Sequence, residues 1–240
     1  MRRLLRSSLF VAATGVLASA CFGDLRPVDE KTESDPFVLD ANSALIEGIV
    51  APKLIHAGDR VTLRDPARLS KDDGAPVLLW MACDGLLEPG SSAAEVLWTA
   101  PSTPGVYAVT VNFAINAHGA PSRVLRLCVA PPGATSCETT EAAPPTLRAV
   151  SAEKNMFVQE TECEGSCTTR VHAEASPPGE APLTWRWYTG AGNIVGTAST
   201  VDWQLPAVGC CTETYSAAVT VCGPQGTAAT GYVNVVVIPG

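Results

Sequence analysis

Three histidines are all that the 240 residues supply, and none of His56, His118 or His172 stands at a His-Glu-x-x-His or other paired ligand spacing. His56 and His118 lie near Gly58 and Gly119 in segments that read as loops, where exposed imidazoles are expected. A Gly-x-Ser-x-Gly elbow and a phosphate-binding glycine loop are also missing, which removes the usual signatures of acyl transfer and nucleotide chemistry. No apolar run beyond residue 20 reaches the length of a membrane-spanning helix. Basic charge is scarce too. Residues 1–20 hold three of the 16 Lys+Arg and none of the 24 Asp+Glu, so the remainder carries 13 basic against 24 acidic residues, a formal charge of −11. A chain with no basic patch to displace counterions from phosphates is not expected to bind nucleic acid.

What the N-terminus does contain is directional. Arg2, Arg3 and Arg6 precede a stretch of apolar and small residues from Leu9 to Ala20. That order is the layout of an export signal, with an ordinary basic start and an apolar segment too short to span a bilayer. Ala18-Ser19-Ala20-Cys21 then resembles the lipobox of bacterial lipoproteins, with Ala18 where the family prefers Leu and Leu17 one place early. The resemblance implies cleavage before Cys21 and acylation of its thiol and new amino group. Phe22, in place of Asp, implies that inner-membrane retention is not signalled and that the outer membrane is the address. Several acyl chains on one residue give the multiple anchors that stable attachment needs. The expected partners are therefore the membrane, through the lipid, and an unidentified protein or glycan of the cell envelope.

Residues 22–43 hold six acidic residues, two basic ones and two prolines, with little to enter a core. They read as an acidic flexible tether over 21–44. A second coreless stretch, the Pro-rich linker 131–145, separates two segments that look like copies of one unit. The first runs Pro76-Val-Leu-Leu-Trp80, Trp98-Thr-Ala-Pro101, Tyr107-Ala-Val-Thr-Val111 and Val124–Val129. The second runs Pro182-Leu-Thr-Trp-Arg-Trp187, Trp203-Gln-Leu-Pro206, Tyr215-Ser-Ala-Ala-Val-Thr-Val221 and Tyr232–Ile238. Trp80 to Trp98 is 18 residues and Trp187 to Trp203 is 16, so order and spacing agree and point to an internal duplication. Within each unit the residues alternate. Tyr107, Val109 and Val111 face one way, towards a core; Ala108, Thr110 and Asn112 face the other, towards water. Only Ser91–Leu97 suggests a helical turn.

Short alternating strands punctuated by turns at Asp73-Gly74, Pro104-Gly105, Pro178-Gly179 and Gly223–Gly226 predict an all-β chain of two tandem sandwiches, at 45–130 and 146–240. The segment "WTAPSTPGVYAVTV" resembles the Trp strand, Pro-Gly corner and Tyr-led strand of bacterial immunoglobulin-like (Ig-like) and PKD-like surface domains. "DDGAPVLLW" and "GEAPLTWRW" resemble the loop and Trp strand before it. Trp187 is followed by Tyr-Thr-Gly and not by the Gly-Asp-Gly of PKD domains, so the broader Ig-like label applies. The resemblance covers residues 45–130 and 146–238 and implies a fold, not a ligand.

With Cys21 set aside for lipid, eight cysteines remain: Cys83, Cys128, Cys137, Cys163, Cys167, Cys210, Cys211 and Cys222. In an exported chain four disulfides are the default, and Cys83 is expected in one of them and not as a nucleophile. The Ig-like resemblance places the Cys163/Cys167 and Cys210/Cys211 loops at one end of the second sandwich, which pairs those sets in either order. Three cysteines lie before residue 146 and five after, so either one bridge crosses between the segments or two thiols stay unbridged. The same resemblance suggests Cys137–Cys222, leaving Cys83–Cys128. Zinc on Cys163, Cys167, Cys210 and Cys211 is the competing use of four sulfurs, but adjacent cysteines suit a tetrahedral site badly. Asp72 and Asp73 are the one candidate calcium turn, with too few oxygens for a full shell. The acid pair Glu160/Glu162 would serve hydrolysis only inside a cleft.

No metal, cofactor or catalytic set is expected. The leading reading is a non-catalytic, lipid-anchored envelope protein that binds, adheres or assists assembly. Its alternatives are a carbohydrate-binding surface protein using an exposed row of Trp80, Trp98, Trp185, Trp187 and Trp203, and a secreted hydrolase accessory or enzyme. Mass spectrometry of the mature N-terminus tests the anchor: a diacylglyceryl-modified Cys21 as first residue is the expected result, and an unmodified Cys21 or cleavage elsewhere removes it.

Overall fold

The structure, a computed structural model, describes residues 41–65, 77–88, 94–115, 118–119, 122–140, 142–163 and 165–240. The signal segment, Cys21, most of the tether, and Asp72 and Asp73 fall outside the described residues. Two sequence segments each fold into two facing antiparallel sheets. The first contributes β1 (Ser43–Ile46), β2 (Ile49–Pro52), β3 (Ile55–His56), β4 (Arg60–Arg64), β5 (Val77–Ala82), β6 (Leu86–Leu87), β7 (Glu95–Thr99), β8 (Gly105–Ile115), β9 (His118–Gly119) and β10 (Arg123–Ala130). The second contributes β11 (Thr146–Ala152), β12 (Met156–Val158), the single helical turn α1 (Gln159–Glu162), β13 (Thr168–Ser176), β14 (Thr184–Thr189), β15 (Asn193–Val195), β16 (Thr200–Gln204), β17 (Glu213–Cys222) and β18 (Ala228–Ile238).

Strand order repeats between the two. One sheet runs β1-β2-β4-β7-β6 in the first sandwich and β11-β13-β16-β15 in the second. The other runs β3-β10-β8-β5 in the first and β12-β18-β17-β14 in the second. In both, a short strand adds in parallel to an otherwise antiparallel sheet: β3 on β10 and β12 on β18. The repeated tryptophans occupy matched places. Trp98 on β7 and Trp203 on β16 are both 0% exposed and are the largest fully buried side chains. A buried indole must still place its N–H. Trp98 Nε1 donates to the Asp84 carbonyl at 3.1 Å, and Trp203 Nε1 donates to the Ala191 carbonyl at 3.1 Å, each in the turn that leads into an edge strand. Those turns press on the Trp strand, and glycine makes that possible. Gly85 (φ +77°) and Gly192 (φ +79°) have backbones that a side chain resists, and a Cβ would strike the Thr99 and Gln204 carbonyl oxygens respectively.

Of Ser91–Leu97, where composition suggested a helical turn, Glu95–Leu97 lies in strand β7, and Ser91–Ala93 fall outside the described residues. Val61 pairs with Trp98 across β4 and β7, and the alternate residues Val96 and Trp98 are buried. Tertiary pairing overrides a weak local helix preference.

The larger correction concerns the face of β8 expected to meet water. Ala108, Thr110 and Asn112 are 3%, 0% and 2% exposed. They are buried because the second sandwich covers them. On β17 the outward residues Ala218, Thr220 and Cys222 are likewise buried. Thr110 Oγ1 and Thr220 Oγ1 meet at 3.3 Å, 110 residues apart in sequence. Cys83, just after β5, is bonded to Cys222. At the other end of the seam Tyr188 reaches Ser122, hydroxyl to hydroxyl, at 3.5 Å. The turn Pro224–Gly226 comes up against Tyr107 and Asp84 of the first sandwich. The described residues of both sandwiches accordingly belong to one compact unit.

The segment between the sandwiches is also pinned. Cys128 on β10 bonds Cys137, and His56 Nε2 lies 3.0 Å from the Ala134 carbonyl. His56 thus ends a strand, half-buried, with its Nδ1 3.3 Å from Asp59, and is not an exposed loop residue.

Two outcomes follow from the seam. Replacing Cys83 and Cys222 together by Ser removes a bridge spanning 139 residues, and is expected to cost about 2–5 kcal/mol in non-reducing denaturant titration. The phenols of Tyr107, Tyr188 and Tyr215 are all pushed up from their ordinary value, chiefly by burial, Tyr188 furthest. Folded tyrosines therefore hold their protons where unfolded ones lose them. Their contribution to stability is intact below about pH 10 and falls as pH rises above it. Ultraviolet phenolate titration of Tyr188→Phe against the parent chain checks this, with a late-titrating tyrosine missing in the variant.

Candidate functional site

Tryptophan exposure decides between the surface readings first. Trp80, Trp98 and Trp203 are buried, at 4%, 0% and 0%. Trp185 and Trp187 share the inner face of β14, half-buried against the second core, and Trp187 Nε1 donates to the Ala198 carbonyl at 2.8 Å. The five indoles therefore form no exposed row, and the stacking platform needed for sugar binding is not built from them. Among the described residues the large apolar side chains that are exposed, Leu45, Leu86, Met156, Val195 and Tyr232, lie on five separate strands.

A cleft of about 510 Å³ opens on the second sandwich, lined by Glu153, Lys154, Phe157, Thr168, Thr169, Arg170 and Asp202. Thr169 fixes its floor, donating through Oγ1 to the Lys154 carbonyl at 2.9 Å and accepting from the Lys154 N–H at 3.1 Å. Lys154, Arg170 and Asp202 each have an ion-pair partner within the chain. Arg170 Nε sits 3.4 Å from Asp202, and Lys154 Nζ lies 2.8 Å from Glu162 and over the Phe157 ring at 4.9 Å. The Lys154 ammonium and the Val158 N–H hold the exposed Glu162 carboxyl below the usual carboxylate range. A carboxylate so stabilised is a poor general acid.

Both outer sheets present polar ladders. In the first sandwich Arg64 pairs with Glu95 at 3.2 Å and Arg60 pairs with Glu88. In the second, Arg148 meets Glu174 at 3.7 Å, and His172 Nδ1 lies 2.7 Å from Thr200 Oγ1. Exposed pairs of this kind add at most about 1 kcal/mol each, so they shape the surface more than the stability. No helix among the described residues is long and apolar enough to cross a membrane. No cluster of three or more His, Cys, Asp or Glu suited to a metal occurs among the described residues.

The cysteines join differently from the expectation. Cys163 bonds Cys167 within one loop, and not the Cys210/Cys211 loop. The two loops are nonetheless neighbours, as the resemblance implied: the Leu205 N–H donates to the Cys167 carbonyl at 2.8 Å, and the Val208 N–H donates to Gln159 Oε1 at 2.6 Å. Cys167 is 2% exposed and points into the core, while Cys210 is exposed, which is why neighbouring loops do not become a bridge. Cys83–Cys222 and Cys128–Cys137 replace the expected Cys137–Cys222 and Cys83–Cys128. One bridge does cross between the segments. Its identity follows from the seam, which buries Cys222 on the outer face of β17 against the first sandwich; no linear feature announces that contact.

No family model and no curated protein sequence matches the chain. Among solved structures it is similar to InvD of Yersinia pseudotuberculosis, at 17% identity over 85% of this chain and 59% of that one, with a TM-score of 0.23. It is also similar to the Yersinia pseudotuberculosis adhesin InvE, at 13% identity over 81% of this chain and 60% of that one, with a TM-score of 0.23. A third is the protocadherin GammaB4 extracellular domain, at 11% identity over 79% of this chain and 30% of that one, with a TM-score of 0.28. The chain thus spans less than two thirds of each of these proteins.

Proposed function

We propose that this is a non-catalytic, lipid-anchored protein of the cell envelope whose paired sandwiches present a fixed surface for binding or adhesion. The observation that carries the reading is the Cys83–Cys222 clamp over a buried seam. It joins two sandwiches into one compact unit, and such a bridge persists outside a reducing compartment, where a display element works. Three disulfides in a small β-chain support export. The paired charges beside the cleft and along the ladders support recognition of a polar partner of complementary pattern. The acidic segment ahead of Ser43 acts in this reading as the spacer between lipid and sandwich.

The test is expression of the full chain in a bacterium with two membranes. Parent chain is expected in the outer-membrane fraction, with Cys21→Ser released to a soluble fraction. Displaying cells are expected to adhere to immobilised envelope proteins or glycans several-fold better than cells carrying the empty vector. Cytosolic location of the parent chain, or display without any gain in adhesion, overturns the reading.

A further inference from the structure

Cys210 and Cys211 follow Gly209 between β16 and β17, with their sulfurs 3.0 Å apart. All six other cysteines beyond Cys21 are in bridges. Cys210 is exposed and Cys211 half-exposed, so the pair faces water. The base on which it stands is firm. Leu205 and Val208 are buried, and their N–H groups are held by the Cys167 carbonyl and the Gln159 side chain. Two sulfurs are thus presented together on an ordered loop, outside the core.

We propose that Cys210 and Cys211 are a redox couple of their own, a dithiol that closes to a vicinal disulfide and exchanges with small thiols and disulfides. This stands independently of any adhesive role. Closure consumes a disulfide oxidant, R–S–S–R. One cysteine thiolate attacks a sulfur of the oxidant, forming a mixed disulfide and releasing one RSH. The neighbouring thiolate then attacks the cysteine sulfur of that mixed disulfide, forming the Cys210–Cys211 bond and releasing the second RSH. Two electrons and two protons pass from the pair to the oxidant. The reverse sequence, driven by two small thiols, restores the dithiol.

Geometry makes this couple unlike the other three bridges. Adjacent Cα atoms lie about 3.8 Å apart across a trans peptide, below the roughly 4.4–6.8 Å that relaxed disulfides span. A bridge between neighbours is strained by its own ring and exposed to reductant, and both features make a disulfide labile. Cys167 and Cys222, at 2% and 4% exposure, place the Cys163–Cys167 and Cys83–Cys222 bridges at buried positions.

The experiment uses full-length chain purified without reductant, alkylated with iodoacetamide under denaturing conditions, digested and weighed. The peptide holding Cys210 and Cys211 is expected unalkylated and lighter than the dithiol by two hydrogens. A limited glutathione treatment before alkylation is expected to convert it to the doubly alkylated form while the Cys83–Cys222 cross-link survives. Phenylarsine oxide, which chelates paired thiols, is expected to block that alkylation. Cys210→Ser is expected to leave Cys211 alkylatable and the melting temperature unchanged. Two alkylated cysteines in the untreated chain, a cross-link from residue 210 or 211 to Cys163 or Cys167, or a clearly lowered melting temperature in Cys210→Ser would each overturn the proposal.

Discussion

The rest of the molecule depends on one packing contact: the outer face of β8 lies on the outer face of β17. Sheets approach this closely only where side chains are small, and Ala108, Thr110, Ala218 and Thr220 are. Once the faces meet, other features follow. Strands that would be wet on one side are buried on both. Cys222 is brought to Cys83 across most of the chain. The intervening segment has to double back, and the Cys128–Cys137 bridge and the His56 contact with Ala134 hold it there. The seam also keeps polar atoms out of water. The Asn112 amide is buried without a hydrogen-bond partner, a cost that the apolar burial around it offsets.

Much of the fold was legible in the residues. The Trp-x-x-Pro repeats marked β7 and β16, and the Tyr-led alternations marked β8 and β17, because period-two patterning reports directly on a sheet with one buried face. The duplication was legible for the same reason, and the repeated strand order agrees with it. Period two does not say what covers the second face. Ala108, Thr110 and Asn112 look alike whether they face solvent or a neighbouring sandwich, since small and polar side chains suit both. The disulfides failed on that point. Their pairing was argued within an isolated sandwich, where Cys83 and Cys222 have no reason to meet.

The candidate site was less legible. Lys154, Arg170, Glu162 and Asp202 converge from β13, β16, α1 and the loop before β12, and no spacing in sequence links them. The indoles misled in a different way. Five tryptophans suggest a platform, but the pair bearing the repeat motif uses its ring to fill a core and its N–H to tie down a turn. What reaches the surface instead is a mosaic of opposite charges on both outer sheets. Such a mosaic resists nonspecific apolar docking and favours partners with a complementary pattern.

The Thr110–Thr220 contact carries a last consequence. Thr110 stands in Val109-Thr110-Val111 with Trp80 across from Val111; Thr220 stands in Val219-Thr220-Val221 with Trp185 across from Val221. They are nonetheless not the same position of the repeated unit: the Tyr-led strands match Tyr107 to Tyr215, which lie across from Leu127 and Val235, and so match Thr110 to Ala218. The two copies therefore meet through residues that are not equivalent in the repeat. One end of that seam is closed by a covalent bond and the other by an aromatic ring reaching Ser122. The join is a lock between two different surfaces, and not the self-complementary patch by which identical subunits meet.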